Sequence, residues 1–316
     1  MLVRTRGSLD AMDRRLLLQA GAALALGACT RRSPEGAAPP AGSAWRLASF
    51  DRGPGAPEGE RAMLLAPWPE AGPAPDPASR PLLVALHGRG EAGRGLDVGA
   101  GAWPVEYQLD RLHRRLLAPP LLASDLLDMT NAERLGRLNA SLAAAPYRGI
   151  AVAGPATPDL PDHSPDGARP YGRFIVEELL PRLRAETGST ADRAATGIDG
   201  VSMGGRLALF VGLQNPEVFG VVGVLQPALR AEEAPLVLDL ARAAMAKAKV
   251  VLRLVTSDED YFLPAVRAVS QALREGGVPH ELLVIPGTHG YDFNRGPGGV
   301  EMLLWHERVQ RGLPSP

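Results

Sequence analysis

Gly200-Val201-Ser202-Met203-Gly204 decides the reading of this chain, because it places a serine on a sharp turn between a strand and a helix. Upstream, Ala194-Ala195-Thr196-Gly197-Ile198-Asp199 is a short run that suits a buried strand, and downstream Gly205 to Leu213 carries apolar residues at helical spacing. The flanking glycines fit the same geometry. A serine on such a turn has a strained backbone, and side chains two residues to either side would collide where strand and helix pass closely. Ser202 is therefore the candidate nucleophile. With 36 glycines in 316 residues, chance alone places this pattern in roughly one such chain in six, so its surroundings must carry the assignment.

Composition bounds the alternatives. The chain is long enough for one large domain plus extras, and 45% apolar residues can fill a sizeable core. A net charge of -1 from 34 basic and 35 acidic residues leaves no electrostatic footprint for nucleic acid or an acidic membrane. A single cysteine excludes an internal disulfide.

That cysteine gains meaning from its place. Arg14-Arg15-Leu16-Leu17-Leu18-Gln19 precedes the apolar run Ala20 to Leu26 and then Gly27-Ala28-Cys29, the order of a signal peptide with a small-residue cleavage site. The run is too short to serve comfortably as a permanent membrane span. Leu26-Gly27-Ala28-Cys29 resembles a bacterial lipobox, which implies that Cys29 is lipidated and becomes the new N-terminus; the paired arginines resemble a twin-arginine export signal. Residues 1–29 are thus expected to be the signal, with Met12 an alternative start. Residues 30–43, rich in Pro, Gly, Ala and Ser, are expected to be a flexible linker, and 44–316 the folded domain. Thr30 lacks the aspartate character associated with inner-membrane retention, which leans the expected location towards the outer membrane of a cell envelope. Membrane contact is expected through this anchor only.

Along the domain, Trp45 to Phe50 and Ala62 to Ala66 suit the first two strands, divided by the turn Gly53-Pro54-Gly55. After a proline-rich loop from Pro67 to Pro81, Leu82 to Leu86 is an unbroken apolar run expected of a strand covered on both faces. Residues 91–148 are too long for an ordinary connection and read as a helical insertion over the active-site edge, with helices at Leu109 to Leu117 and Ala132 to Ala145. Trp103, Tyr107 and the leucine pairs 116–117 and 121–122 are candidates for a cleft lining, with buried support the role expected of most. Strands follow at Gly149 to Ala153, Val218 to Leu225, Val250 to Val255 and Glu281 to Ile285. Helices are expected at Phe174 to Arg184, Leu236 to Ala248, Pro264 to Glu275 and Gly299 to Arg311, with Pro155 to Pro170 a loop.

Chemistry-bearing residues cluster at strand ends. His87-Gly88-Arg89-Gly90 follows the strand at Leu82 to Leu86, where backbone N–H groups can converge on an oxyanion; His87 itself reads as a structural turn residue. Asp258, Glu259 and Asp260 end a late strand, the place where a triad carboxylate is needed. His289 sits in the loop after the last strand, whereas His280 and His306 occupy positions typical of surface or packing residues.

The order Ser, Asp, His on successive strand ends matches the α/β-hydrolase arrangement. More narrowly, the chain resembles the esterase D group of esterases, which includes S-formylglutathione hydrolases, enterochelin esterases and mycolyltransferases. The resemblance is carried by Leu86-His87-Gly88, Phe174 to Pro181, Gly200 to Gly205, Asp260-Tyr261-Phe262-Leu263 and Pro286-Gly287-Thr288-His289. It implies an α/β-hydrolase fold: a mostly parallel, doubly wound sheet with helices on both faces and a helical insertion after the third strand. It also implies acyl transfer from a carboxylic ester through Ser202, with His289 as base, Asp260 rather than Asp258 as its partner, and the N–H groups of Met203 and Arg89 as oxyanion donors. Neither metal nor cofactor is needed. The expected substrate is a small-molecule or carbohydrate-linked ester. An acyltransferase, or a catalytically inactive envelope binding module on the same fold, are the alternatives.

Overall fold

The computed structural model describes residues 45–50, 59–65 and 81–316. The expected signal with Cys29, the linker and the turn at residues 53–55 lie outside the described residues.

Eight strands form one sheet: β1 (Trp45–Phe50), β2 (Glu60–Leu65), β3 (Leu82–Leu86), β4 (Ala151–Pro155), β5 (Thr196–Gly200), β6 (Val221–Leu225), β7 (Val251–Glu259) and β8 (Glu281–Thr288). Their spatial order is β1-β2-β4-β3-β5-β6-β7-β8. β1 and β2 pair antiparallel, β2 pairs antiparallel with β4, and every pairing from β4 to β8 is parallel. This is the expected mostly parallel, doubly wound sheet. The apolar runs read from the sequence belong to strands buried on both faces, so their alternate residues enter two separate cores. Leu82, Val84 and Leu86 of β3 join one, and Leu83 and Ala85 the other.

The helices are α1 (Arg89–Ala92), α2 (Leu96–Ala100), α3 (Leu109–Leu117), α4 (Ala132–Ala144), α5 (Pro165–Phe174), α6 (Leu180–Thr187), α7 (Met203–Gln214), α8 (Ala234–Lys247), α9 (Leu263–Glu275), α10 (Tyr291–Phe293) and α11 (Gly299–Gln310). Residues from α5 to α9 fill the first core, including Phe174, Phe210, Val237 and Val269. Burial of each such side chain contributes about 1.5–3 kcal/mol. The second core is built by α2, α3, α4 and α11 through Leu109, Leu112, Leu138, Leu142 and Leu303.

Two expectations change here. The segment between β3 and β4 does not chiefly overhang the active-site edge: most of it forms a helical layer on one sheet face beside α11, because its apolar stripes need a partner. Trp103, Tyr107, Leu116 and Leu121 are buried in that layer, while Leu117 and Leu122 are exposed. The loop expected to run to Pro170 ends earlier, since Ser164 caps α5 by accepting from Gly167 N–H and Pro165 takes the first helical turn.

Candidate active site

β5 delivers Ser202 from the middle of the sheet. Val201 N–H donates to Leu86 O on β3, and Ser202 N–H donates to Leu225 O on β6, each at 3.0 Å, so the turn is anchored to both neighbouring strands. Ser202 adopts φ 56° and ψ -117°, a region that strains any residue with a Cβ. The flanking glycines are required sterically. A Cβ on Gly200 would lie 2.5 Å from Gly204 O, and one on Gly204 would lie 2.4 Å from His87 O.

The structure brings Ser202, His289 and Asp260 into one hydrogen-bonded row. Ser202 Oγ lies 3.1 Å from His289 Nε2, and His289 Nδ1 lies 3.0 Å from Asp260 Oδ1. Asp260 is buried and accepts on both carboxyl oxygens, an arrangement in which Nδ1 carries the proton and Nε2 offers its lone pair to the serine hydroxyl. The carboxylate is held on both oxygens: Phe262 N–H donates to Oδ1 at 2.9 Å and Thr256 Oγ1 donates to Oδ2 at 2.7 Å. Tyr261 and Phe262 flank the imidazole, with ring centroids 4.4 and 5.3 Å away. Asp258 does another job, accepting from Gly287 N–H at 3.0 Å beside the histidine loop.

The two expected oxyanion donors both begin helices. Arg89 opens α1 and Met203 opens α7, positions whose N–H groups have no intrahelical partner. A Cβ on Gly88 would lie 3.7 Å from Ser202 Cβ, so the β3 loop approaches Ser202 closely. Its carbonyl orientation is fixed by His87. Thr157 N–H donates to His87 Nε2 at 2.7 Å, which leaves the proton on Nδ1 to donate to Gly88 O at 2.8 Å. A planar trans peptide points its N–H opposite to its C=O, so fixing Gly88 O also aims Arg89 N–H. Burial pushes His87 down to about 4 and keeps it neutral, consistent with a structural turn histidine.

His280 and His306 lie elsewhere. His280 bonds Ser270 Oγ at 2.7 Å, and His306 is buried on α11 against Asp199 at 3.1 Å. Sequence reasoning missed three supports of the site. Gln226, with φ 43°, donates to Ser257 Oγ at 2.6 Å and to Thr288 O, next to His289, at 3.0 Å. Glu91 and Tyr291 meet Tyr107 beside the β3 loop. A polar residue directly after the valine-rich run of β6 was the visible signal for Gln226; Glu91 had none. Among the described residues no group of three or more His, Cys, Asp or Glu is arranged to hold a metal. No helix among them is long and apolar enough to cross a membrane.

Residues 144–285 match the model of the family described as putative esterase. The fold is similar to a ferulic acid esterase at 16% identity and TM-score 0.59, covering 84% of this chain and 97% of that one. It is also similar to the S-formylglutathione hydrolase of Staphylococcus aureus at 15% identity and TM-score 0.56, with 84% and 98% covered. The enterobactin esterase of Shigella flexneri aligns at 19% identity and TM-score 0.50, over 84% of this chain and 60% of that one. At such identities the structures speak to the fold. No curated protein matches the chain.

Proposed function

We propose that this chain is a serine esterase, an α/β-hydrolase of the esterase D-like group, and that it cleaves its substrates as follows. Ser202 Oγ attacks the carbonyl carbon of a carboxylic ester while His289 Nε2 takes its proton, and Asp260 holds the imidazole tautomer and stabilises the imidazolium. The N–H groups of Met203 and Arg89 bind the oxyanion, each worth about 3 kcal/mol in comparable sites. The C–O bond to the alcohol then breaks, His289 returns the proton to the departing oxygen, and an acyl-enzyme on Ser202 remains. Water, deprotonated by the same histidine, releases the acid and restores the serine. Capture by a sugar hydroxyl instead of water would make the same intermediate an acyltransferase.

The observation that carries this reading is the row from Ser202 Oγ through His289 to Asp260, at 3.1 and 3.0 Å, on a turn that holds the serine at φ 56°. The substrate class proposed is a small-molecule or carbohydrate-linked ester. The similar folds of a ferulic acid esterase and an enterobactin esterase set the range of esters to assay first. The test is fluorophosphonate labelling of purified protein and of Ser202→Ala. Labelling that disappears in the variant, together with ester hydrolysis, is expected; a folded wild type that does not label would instead favour an inactive binding module.

We further propose that the protein is exported and lipid-anchored through Cys29. Mass spectrometry of mature protein from a bacterial envelope should find a chain beginning at Cys29 with added acyl chains. A mature chain beginning earlier and carrying no lipid would overturn the anchor.

A further inference from the structure

We propose that Glu91 is a positioning residue that ties the loop carrying Arg89 N–H to the loop carrying His289, so that both keep their places over Ser202; this rests on the acyl-enzyme reading above. Glu91 stands two residues after Arg89, and Tyr291 two residues after His289. The carboxylate joins them. Tyr291 Oη donates to Glu91 Oε1 at 2.5 Å, and Tyr107 Oη donates to Oε2 at 2.8 Å. Tyr107 Oη in turn accepts from Gly88 N–H at 3.2 Å. That bond removes the Gly88 amide from competition for the oxyanion and leaves the Arg89 amide as the loop's donor. The assembly abuts the nucleophile, since a Cβ on Gly88 would lie 3.5 Å from Tyr107 Oη and 3.7 Å from Ser202 Cβ.

The surroundings of the carboxylate are those of a linker between hydroxyls and not of an ion pair. Glu91 is 1% exposed. The one basic group within ion-pair distance of it among the described residues is the neutral His87 imidazole, at 3.9 Å. A buried carboxylate without a cation is costly to desolvate, a cost offset in part by the two tyrosine hydroxyls that donate to it. What the carboxylate supplies is two acceptor oxygens aimed at two hydroxyls from different loops. Removing it would free each loop to shift, and misplacement by about 1 Å can cost roughly 100-fold in rate.

The test measures kcat and KM on a short-chain ester, per active site counted by fluorophosphonate labelling, together with inhibition by a trifluoromethyl ketone that mimics the tetrahedral intermediate. Glu91→Ala should lower kcat about 10- to 100-fold with KM within about threefold, and weaken the ketone by the factor lost in kcat/KM. Tyr107→Phe and Tyr291→Phe should each lower kcat several-fold. Adding Tyr291→Phe to Glu91→Ala should cost nothing more, because that branch is already cut. Glu91→Gln preserves shape and covers the case in which the alanine variant fails to fold. With one acceptor oxygen in place of two, it too should lower kcat. A folded, labelled Glu91→Ala or Glu91→Gln with kcat within about twofold of wild type overturns the proposal, as does a loss confined to KM with unchanged ketone affinity. Labelling that survives Ser202→Ala would sink the acyl-enzyme reading itself, an outcome distinct from either.

Discussion

Asp260→Asn is the substitution whose outcome the geometry fixes most narrowly. In serine proteases the corresponding change costs about 10⁴ in kcat, because the amide imposes the wrong histidine tautomer. Here Asp260 Oδ1 accepts from both His289 Nδ1–H and Phe262 N–H, whereas Oδ2 faces only the Thr256 hydroxyl. Phe262 N–H can only donate, so an asparagine must turn its oxygen towards Phe262 and His289 and its NH₂ towards Thr256, whose hydroxyl can accept. The productive tautomer survives. What is lost is the negative charge beside the imidazolium, about 1.5–3 kcal/mol for a charge-assisted bond, which corresponds to roughly 10- to 150-fold in kcat. Steady-state hydrolysis of a chromogenic ester by the purified variant, normalised to labelled sites, reads this directly. A loss near 10⁴-fold would refute the argument, since it would mean that the tautomer flips despite the shared oxygen. A loss below about threefold would show that His289 does not depend on Asp260 and would shift its role to Asp258.

Ser202→Gly and Ser202→Ala should both be inactive, yet the glycine variant should be about 1 kcal/mol more stable in urea denaturation. It relieves the strain of φ 56° at a modest cost in unfolded-state entropy; equal stabilities would deny the strain. Burial, reinforced by Arg114, pushes His113 down to about 4. Its folded value lies below its unfolded one, so its contribution is complete above pH 6.5 and lost as pH falls towards 4. His113→Asn should therefore flatten the fall in unfolding free energy between pH 6 and 4.5 by up to ~1.4 kcal/mol per pH unit, and an unchanged slope would contradict the assignment. Glu301 receives Arg134 at 2.7 and 2.5 Å and Arg253 at 3.2 Å inside the second core. Glu301→Leu should cost about 3–5 kcal/mol by leaving two buried arginines unpaired; a cost below ~1 kcal/mol would mean that water reaches them.

The elements legible in the sequence were those whose burial is uniform along the segment. β3 is read at its observed limits, Leu82–Leu86, because both faces are covered and every residue is apolar. α3 is likewise read in full, from a stripe that meets the core of its own layer. β7 and β8 run past their apolar stretches to Glu259 and Thr288, because those residues still pair after the covering helices end. β5 begins at Thr196 rather than Ala194, since Asp192 accepts from Ala194 N–H and draws the preceding residues into a tight turn. The serine, the acid and the histidine could be nominated because each stands where a strand stops. Glu91 and Tyr291 could not, because they are 200 positions apart and no local periodicity links them.

Among the described residues, two Asp–His pairs that join distant parts of the chain are of nearly equal length, and what separates them is the far nitrogen of each ring. His289 meets Asp260 at 3.0 Å and His306 meets Asp199 at 3.1 Å. In the first pair the remaining nitrogen faces a serine hydroxyl, a group that can surrender a proton. In the second, the Gln310 amide donates to Nδ1 at 3.0 Å and occupies the lone pair. His306 is wholly buried, and burial also lowers its affinity for a proton, so no substrate reaches it and no base is free. Its bond to Asp199, whose other oxygen accepts from Gly200 N–H at 2.7 Å, instead pins α11 to the residue that enters the serine turn. The same two side chains thus serve as proposed catalytic machinery at the end of the sheet and as a fastener beneath it. The neighbour on the second nitrogen decides which.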